Sequence, residues 1–198
     1  MKKLILLMSA LVLTVSSVVS SAQAAEKQMR ILMVVPPEQI EDGEYNASRS
    51  LFNEKGALVK VASTTKKMVT GSSLEFKPDL LISKAKSSDY DAIVLIGGMG
   101  IFEHIFGNQD LQKLVKNMHS EGKYIGAICG TPVVLAECGI LKDVEATVAK
   151  DNNLIKQLQD SGAKYVDNEV VVSGKIVTGN GPRASTAFAK AVCELIGL

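Results

Sequence analysis

Three short runs, almost free of polar residues, constrain this chain more than any other feature. Ile31-Leu-Met-Val-Val35, Ala92-Ile-Val-Leu-Ile96 and Tyr124-Ile-Gly-Ala-Ile128 are each of strand length. A strand turns alternate side chains to opposite faces, so a run that is apolar throughout is buried on both. Sheets built from such strands are mostly parallel and carry helices on each side. Pro36-Pro37 stops the first run and Gly97-Gly98 ends the second. Leu58–Ala62 reads as another short strand.

Helical patterns fall between these strands. Asp42 is placed to cap a helix running to about Glu54, with Gly56 as its stop. Leu111, Leu114, Val115 and Met118 recur at i, i+3, i+4, i+7 and are closed by Gly122. Thr131–Glu137 reads as a helix before Gly139, and Leu154, Ile155 and Leu158 mark another that ends near Gly162. Val170–Val172 and Lys175–Thr178 flank Ser173-Gly174, a two-residue hairpin signal. Phe188, Val192 and Leu195 place a last helix after Pro182. The alternation predicts the α/β class. A length of 198 residues predicts one domain, or one domain with a tail, and no repeat or linker divides it.

The tail is at the start. Met1-Lys2-Lys3 is a short positive region, and Leu4–Val19 is an unbroken run of apolar and small residues. Ala22-Gln23-Ala24 then supplies the small-x-small pattern of a cleavage site. The run of about 16 residues is shorter than the ~20 of a spanning helix. Residues 1–24 are therefore read as a signal peptide cut near Ala24. Residues 25–198 are read as the working domain, periplasmic or secreted and free of the membrane. Cleavage removes Lys2 and Lys3 and no acid, which takes the formal net charge from +1 to −1. Neither value makes a basic field for nucleic acid. Three cysteines without a CxxC exclude a dense disulfide framework.

Ligands of open parallel sheets gather at the carboxyl ends of the strands. Four loops follow such ends here: PPEQIED, GGMG, CGTP and GNGPR. In the third, Gly126-Ala-Ile-Cys129-Gly-Thr131 runs strand, cysteine, helix. A nucleophile on so tight a turn needs small neighbours, which Gly126, Ala127 and Gly130 provide. Amides opening the next helix would favour thiolate over thiol at Cys129. The competing reading is an inert core cysteine. Gly97-Gly98 offers backbone amides to an oxyanion, or is simply a tight turn. Glu41 could reach Cys129 across the strand ends, or is a solvated acid near a helix start.

These segments resemble a known family. ILMVVPPEQIEDGE, DAIVLIGGMG, GKYIGAICGTPVVLAECGIL and VVVSGKIVTGNGPRASTAFA occur in order over residues 29–198. They are similar to the ThiJ/PfpI family, which includes the Parkinson-disease-linked protein deglycase and PfpI-type proteases. It belongs to the class I glutamine-amidotransferase-like superfamily. The resemblance implies a flavodoxin-like three-layer α/β sandwich, a nucleophile elbow and a homodimer. It implies a reactive cysteine, matched by Cys129, and a glutamate that hydrogen-bonds it and shuttles a proton, matched by Glu41. Held protonated, such an acid can donate to sulfur, whereas a carboxylate would repel a thiolate. The amides of Gly98 and Gly130 match the family's oxyanion pocket.

The chain also departs from the pattern. PfpI-type relatives carry His directly after the cysteine, where Gly130 stands, and this weakens a peptidase reading. The stretch in which other relatives place a His reads Glu145-Ala-Thr-Val-Ala149. Where deglycase-like members often have Arg before Gly-Pro, Asn180 stands, and Arg183 follows. The two histidines, His104 and His119, are both expected in solvent. Peptide hydrolysis needs an acid for its amine leaving group. Addition to a small carbonyl, of glyoxalase or deglycase type, needs only a thiolate and one proton-shuttling carboxyl. Oxidation of Cys129, with a role in stress protection, needs no more. A non-enzymatic redox sensor, chaperone or ligand-binding scaffold is the alternative. No cofactor or metal cluster is expected, and the partner is a small carbonyl or oxidant. Cys138 and Cys193 are read as packing residues that an oxidising compartment could join.

Overall fold

The computed structural model describes residues 28–198, so the predicted signal peptide lies outside the described residues. In chain order the elements are β1 (Arg30–Val34), α1 (Asp42–Glu54), β2 (Leu58–Ser63), β3 (Val69–Thr70), β4 (Glu75–Phe76), β5 (Leu80–Leu81) and β6 (Ala92–Leu95). Then come α2 (Ile101–His104), α3 (Gln109–Ser120), β7 (Tyr124–Ile128), α4 (Pro132–Glu137), β8 (Glu145–Ala146), α5 (Asn152–Asp160), β9 (Lys164–Tyr165), β10 (Val170–Ser173), β11 (Ile176–Gly179) and α6 (Ser185–Ile196).

Seven strands form the central sheet in the order β10-β11-β7-β6-β1-β2-β5. All neighbours are parallel except the β10–β11 hairpin. The apolar runs pack as their composition requires. Ile31, Met33 and Val35 of the first run face a core with Phe52 of α1 and Phe188 and Val192 of α6. Leu32 and Val34 face the opposite core, with Leu111, Val115 and Met118 of α3 and Leu135 of α4. The strand ladder thus separates two apolar layers, and helices close each. No helix among the described residues is long and apolar enough to cross a membrane.

Two glycines let α6 lie close on the sheet. A Cβ at Gly126 would stand 3.1 Å from Phe188 Cζ, and one at Gly179 would stand 3.0 Å from Phe188 Cδ2. The aromatic ring fills the space that β7 and β11 leave open. Helix starts follow ordinary capping chemistry in α3 and α5. Asn108 accepts from the Leu111 amide, and Asp151 accepts from the Asn153 and Leu154 amides.

Two sequence expectations need correction here. Glu41, not Asp42, is the N-cap of α1, and its side chain makes no cap bond. Asp42 instead accepts from the Ser72 and Ser73 amides and the Ser73 hydroxyl, and so ties the β3–β4 turn to the helix start. The stretch between Ala62 and Ala92 carries no periodic signal, because β3, β4 and β5 are two residues each. A pattern of period two cannot show in two residues. Cys138 belongs to one core and Cys193 to the other, on opposite faces of the sheet. Both thiols are free, and they cannot join.

Phe188→Ala is expected to cost about 3–5 kcal/mol in urea denaturation, because it empties a fully buried site against two glycines. A loss below about 1 kcal/mol would show that the ring is not what holds α6 to the sheet.

Candidate active site

The chain reverses its direction of travel across the sheet between β1 and β6, since β1 leads outward to β2 and β6 leads outward to β7. Such a point leaves a crevice at the strand ends. The loop after β1 and the loop after β6 meet there through an Ile40–Gly98 bridge. Cys129 follows β7, the next strand along.

Cys129 is half-buried and has φ of 66°. A residue with a Cβ rarely adopts this left-handed conformation, which costs about 1–3 kcal/mol. The surroundings enforce it. The Cys129 amide donates to the Gly179 carbonyl at 2.9 Å, and its carbonyl accepts from Ala149 at 2.8 Å. Buried Thr131 closes the turn: its hydroxyl lies 3.0 Å from the Ile128 amide and 3.0 Å from the Leu95 carbonyl. The strand–turn–helix geometry of a nucleophile elbow is therefore present.

The carboxyl at this cysteine is Glu44, not Glu41. Glu44 is fully buried, and its Oε2 accepts from the Gly97 amide at 2.9 Å. The same carboxyl meets the Cys129 side chain, and its Oε1 has no hydrogen-bond partner among the described residues. Glu41 is half-buried, and its part is played by its backbone, whose amide donates to the Gly97 carbonyl at 3.1 Å. Its side chain acts on Cys129 only through charge, as the weakest of the influences on that thiol. Helix geometry explains the difference. Glu41 precedes the first turn, whereas Glu44 lies on the stripe of α1 that also buries Tyr45, Ser48 and Phe52. Extending that stripe backward from Phe52 would have found Glu44 in the sequence.

Gly97 is the floor of this arrangement. A Cβ there would stand 2.4 Å from Cys129 Cβ and 2.8 Å from Glu44 Oε2. Both are closer than real carbon contacts allow, so only glycine lets carboxyl and thiol converge. The Gly98 and Gly130 amides both hydrogen-bond the Cys129 sulfur.

The pull of these amides toward thiolate is opposed by burial. Burial first, and then the Glu44 charge, push the Cys129 thiol up to about 11, against the pull of the two amides. Burial also pushes the Glu44 carboxyl up to about 8, against the opposing bond from Gly97. At neutral pH the pair is mostly acid and thiol, both uncharged. Loss of the first proton belongs to the pair. When it occurs, the charge can rest on oxygen or, by transfer of the thiol proton to Glu44, on sulfur between two amides.

No histidine adjoins the elbow. Val148, inside the stretch where some relatives were expected to carry His, is buried among apolar residues, and Ala149 is bonded to Cys129. His104 is half-buried and lies 3.2 Å from Glu38 Oε1. With Glu103 these two bring donor atoms within 4.8 Å of one another, a grouping that sequence spacing did not show. Two of the three are exposed, and the His104–Glu38 hydrogen bond accounts for their approach. His119 lies in the last turn of α3 and borders a separate cleft with Lys175.

Residues 29–195 match the model of the DJ-1/PfpI family, and the chain belongs to that family. It is 30% identical over 172 residues to a deglycase of Pyrococcus abyssi, an alignment covering 85% of this chain and 99% of that one. A glutathione-independent glyoxalase of Caenorhabditis elegans is 29% identical over 174 residues, with 87% and 90% covered. Among solved structures, a ThiJ/PfpI domain protein from Brachyspira murdochii superimposes with a TM-score of 0.82 at 30% identity, covering 87% of this chain and 98% of that one. The flavodoxin-like α/β architecture is thus shared.

The raised Glu44 value fixes the sign of a pH effect. The folded chain holds this proton up to about pH 8, while the unfolded chain releases it near 4.5. Folding therefore gains most from it below pH 4.5, and the gain is lost as pH rises toward 8. Urea denaturation between pH 5 and 8 is expected to show wild type losing on the order of a few kcal/mol relative to Glu44→Gln. Parallel profiles for the two proteins would mean that Glu44 is ionised in the fold.

Proposed function

We propose that this chain is an exported enzyme of glyoxalase or deglycase type. It acts on small reactive carbonyls through a covalent adduct on Cys129. The observation that carries this reading is the contact of a strained cysteine, a buried carboxyl and two sulfur-directed amides at one point. The curated deglycase and glyoxalase relatives support it.

The chemistry follows from the proton count. The Cys129–Glu44 pair loses one proton, and its tautomer with sulfur ionised attacks the aldehyde carbon. The new alkoxide takes the proton held by Glu44, which gives a hemithioacetal and a carboxylate. That carboxylate can remove the carbon-bound proton and return it to the neighbouring carbonyl carbon, while the hydroxyl proton of the adduct passes to the neighbouring oxygen by the same group. The resulting thioester is released by water as a hydroxy acid, and the thiol is restored. Every proton passes through one group, so no histidine is required.

A peptidase is disfavoured, since Gly130 and Val148 leave no second acid for an amine leaving group. We further propose that the working form is a homodimer of residues 25–198, periplasmic or secreted.

Methylglyoxal turnover is expected in wild type, with loss of at least ~1000-fold in Cys129→Ser and a comparable loss in Glu44→Gln. The wild-type kcat/KM should rise with pH around 8, the range in which the pair gives up its first proton. Equal turnover in wild type and Cys129→Ser would remove the enzyme reading. Export has its own check. Intact-mass analysis of protein released from the bacterial periplasm should find a chain beginning near Ala25, and a full-length mass would refute cleavage.

A further inference from the structure

A cleft of about 350 Å3 opens beside the elbow, lined by Lys150, Glu169, Asn180, Gly181, Pro182 and Arg183. Its walls continue directly from the two segments that grip the nucleophile. Ala149 donates to the Cys129 carbonyl, and Lys150 is the next residue. Gly179 accepts from the Cys129 amide, and Asn180 is the next residue. The Asn180 amide in turn donates to the Glu169 carbonyl at 2.9 Å, which ties the two sides together.

The charges in this cleft are not all spent. Lys150 Nζ lies 2.8 Å from Asp167 and is committed to it. Arg183 is exposed and makes no ion pair among the described residues. Glu169 is the one acid on the lining, and no ion pair joins it to Arg183 among the described residues. A guanidinium without an ion-pair partner, on the same cleft wall as a primary amide, has the chemistry to bind a planar anion. A neutral dicarbonyl of three carbons would leave the cleft unused.

We infer that this cleft is a subsite for a carboxylate on the substrate. Resting on the reaction proposed above, this assigns the substrate class as an α-oxoaldehyde that carries a carboxylate on a short chain. The aldehyde reaches Cys129, and Arg183, assisted by the Asn180 amide, receives the carboxylate. Glu169 opposes the anion and sets how strongly the site prefers it. Arg183 and Glu169 are thus specificity-determining residues of opposite sign.

The test compares 4,5-dioxopentanoate, which has both groups, with methylglyoxal, which has only the oxoaldehyde. The measured quantity is the ratio of their kcat/KM values. Arg183→Gln should lower that ratio about tenfold through the KM of the acid, and Glu169→Gln should raise it. An unchanged ratio in both variants would overturn the subsite. If neither oxoaldehyde is turned over, the proposed reaction fails, and the subsite is decided by binding alone. Calorimetric titration of 4,5-dioxopentanoate into Cys129→Ser protein should then show affinity about tenfold weaker once Arg183→Gln is added. Equal affinities, or no binding to Cys129→Ser protein, would reject it.

Discussion

The site depends on the backbone of one glycine pressed between a carboxyl and a thiol. Gly97 gives its amide to Glu44 and its carbonyl to the Glu41 amide, and its missing side chain makes room for Cys129. These contacts join the start of α1, the end of β6 and the turn after β7. A buried acid placed so close to a thiol is unfavourable for either charge. The structure accommodates it by keeping both groups neutral at rest. Reactivity then comes from sharing a single negative charge, rather than from a sulfur that is permanently ionised.

The two apolar layers make this arrangement rigid. Each central strand is gripped from both sides, so the loops at its carboxyl end start from fixed points. The φ of 66° at Cys129 persists because its own amide and carbonyl are both tied to neighbouring segments. Thr131, fully buried, adds side-chain bonds across the turn. Strain at the nucleophile is thus held by ordinary hydrogen bonds one residue away.

The central strands were legible because runs such as Ile31–Val35 leave no room for a solvent-facing side, and their side chains indeed divide between two cores. Cys129 was legible because small residues crowd its turn, and Gly98 and Gly130 because backbone amides need no particular side chain. The partner carboxyl was misplaced by one helical turn. The sequence offers Glu41, Asp42 and Glu44 within four residues, and only the phase of α1 separates them. Dipole reasoning foresaw the amides at sulfur but not the depth of burial that outweighs them, which is a tertiary property. The grouping of Glu38 with Glu103 and His104 was invisible because the loop after β1 and helix α2, far apart in sequence, create it.

The placement of the other two cysteines has a consequence of its own. Cys138 lies beneath one layer of helices and Cys193 beneath the other, with the whole sheet between them, while Cys129 stands at the strand ends. The described fold therefore owes nothing to an internal covalent staple. Its cohesion comes from packing and hydrogen bonds, with the described cysteines all free. For a chain proposed to leave the cytoplasm, this frees the elbow sulfur from any structural duty and leaves it available for chemistry.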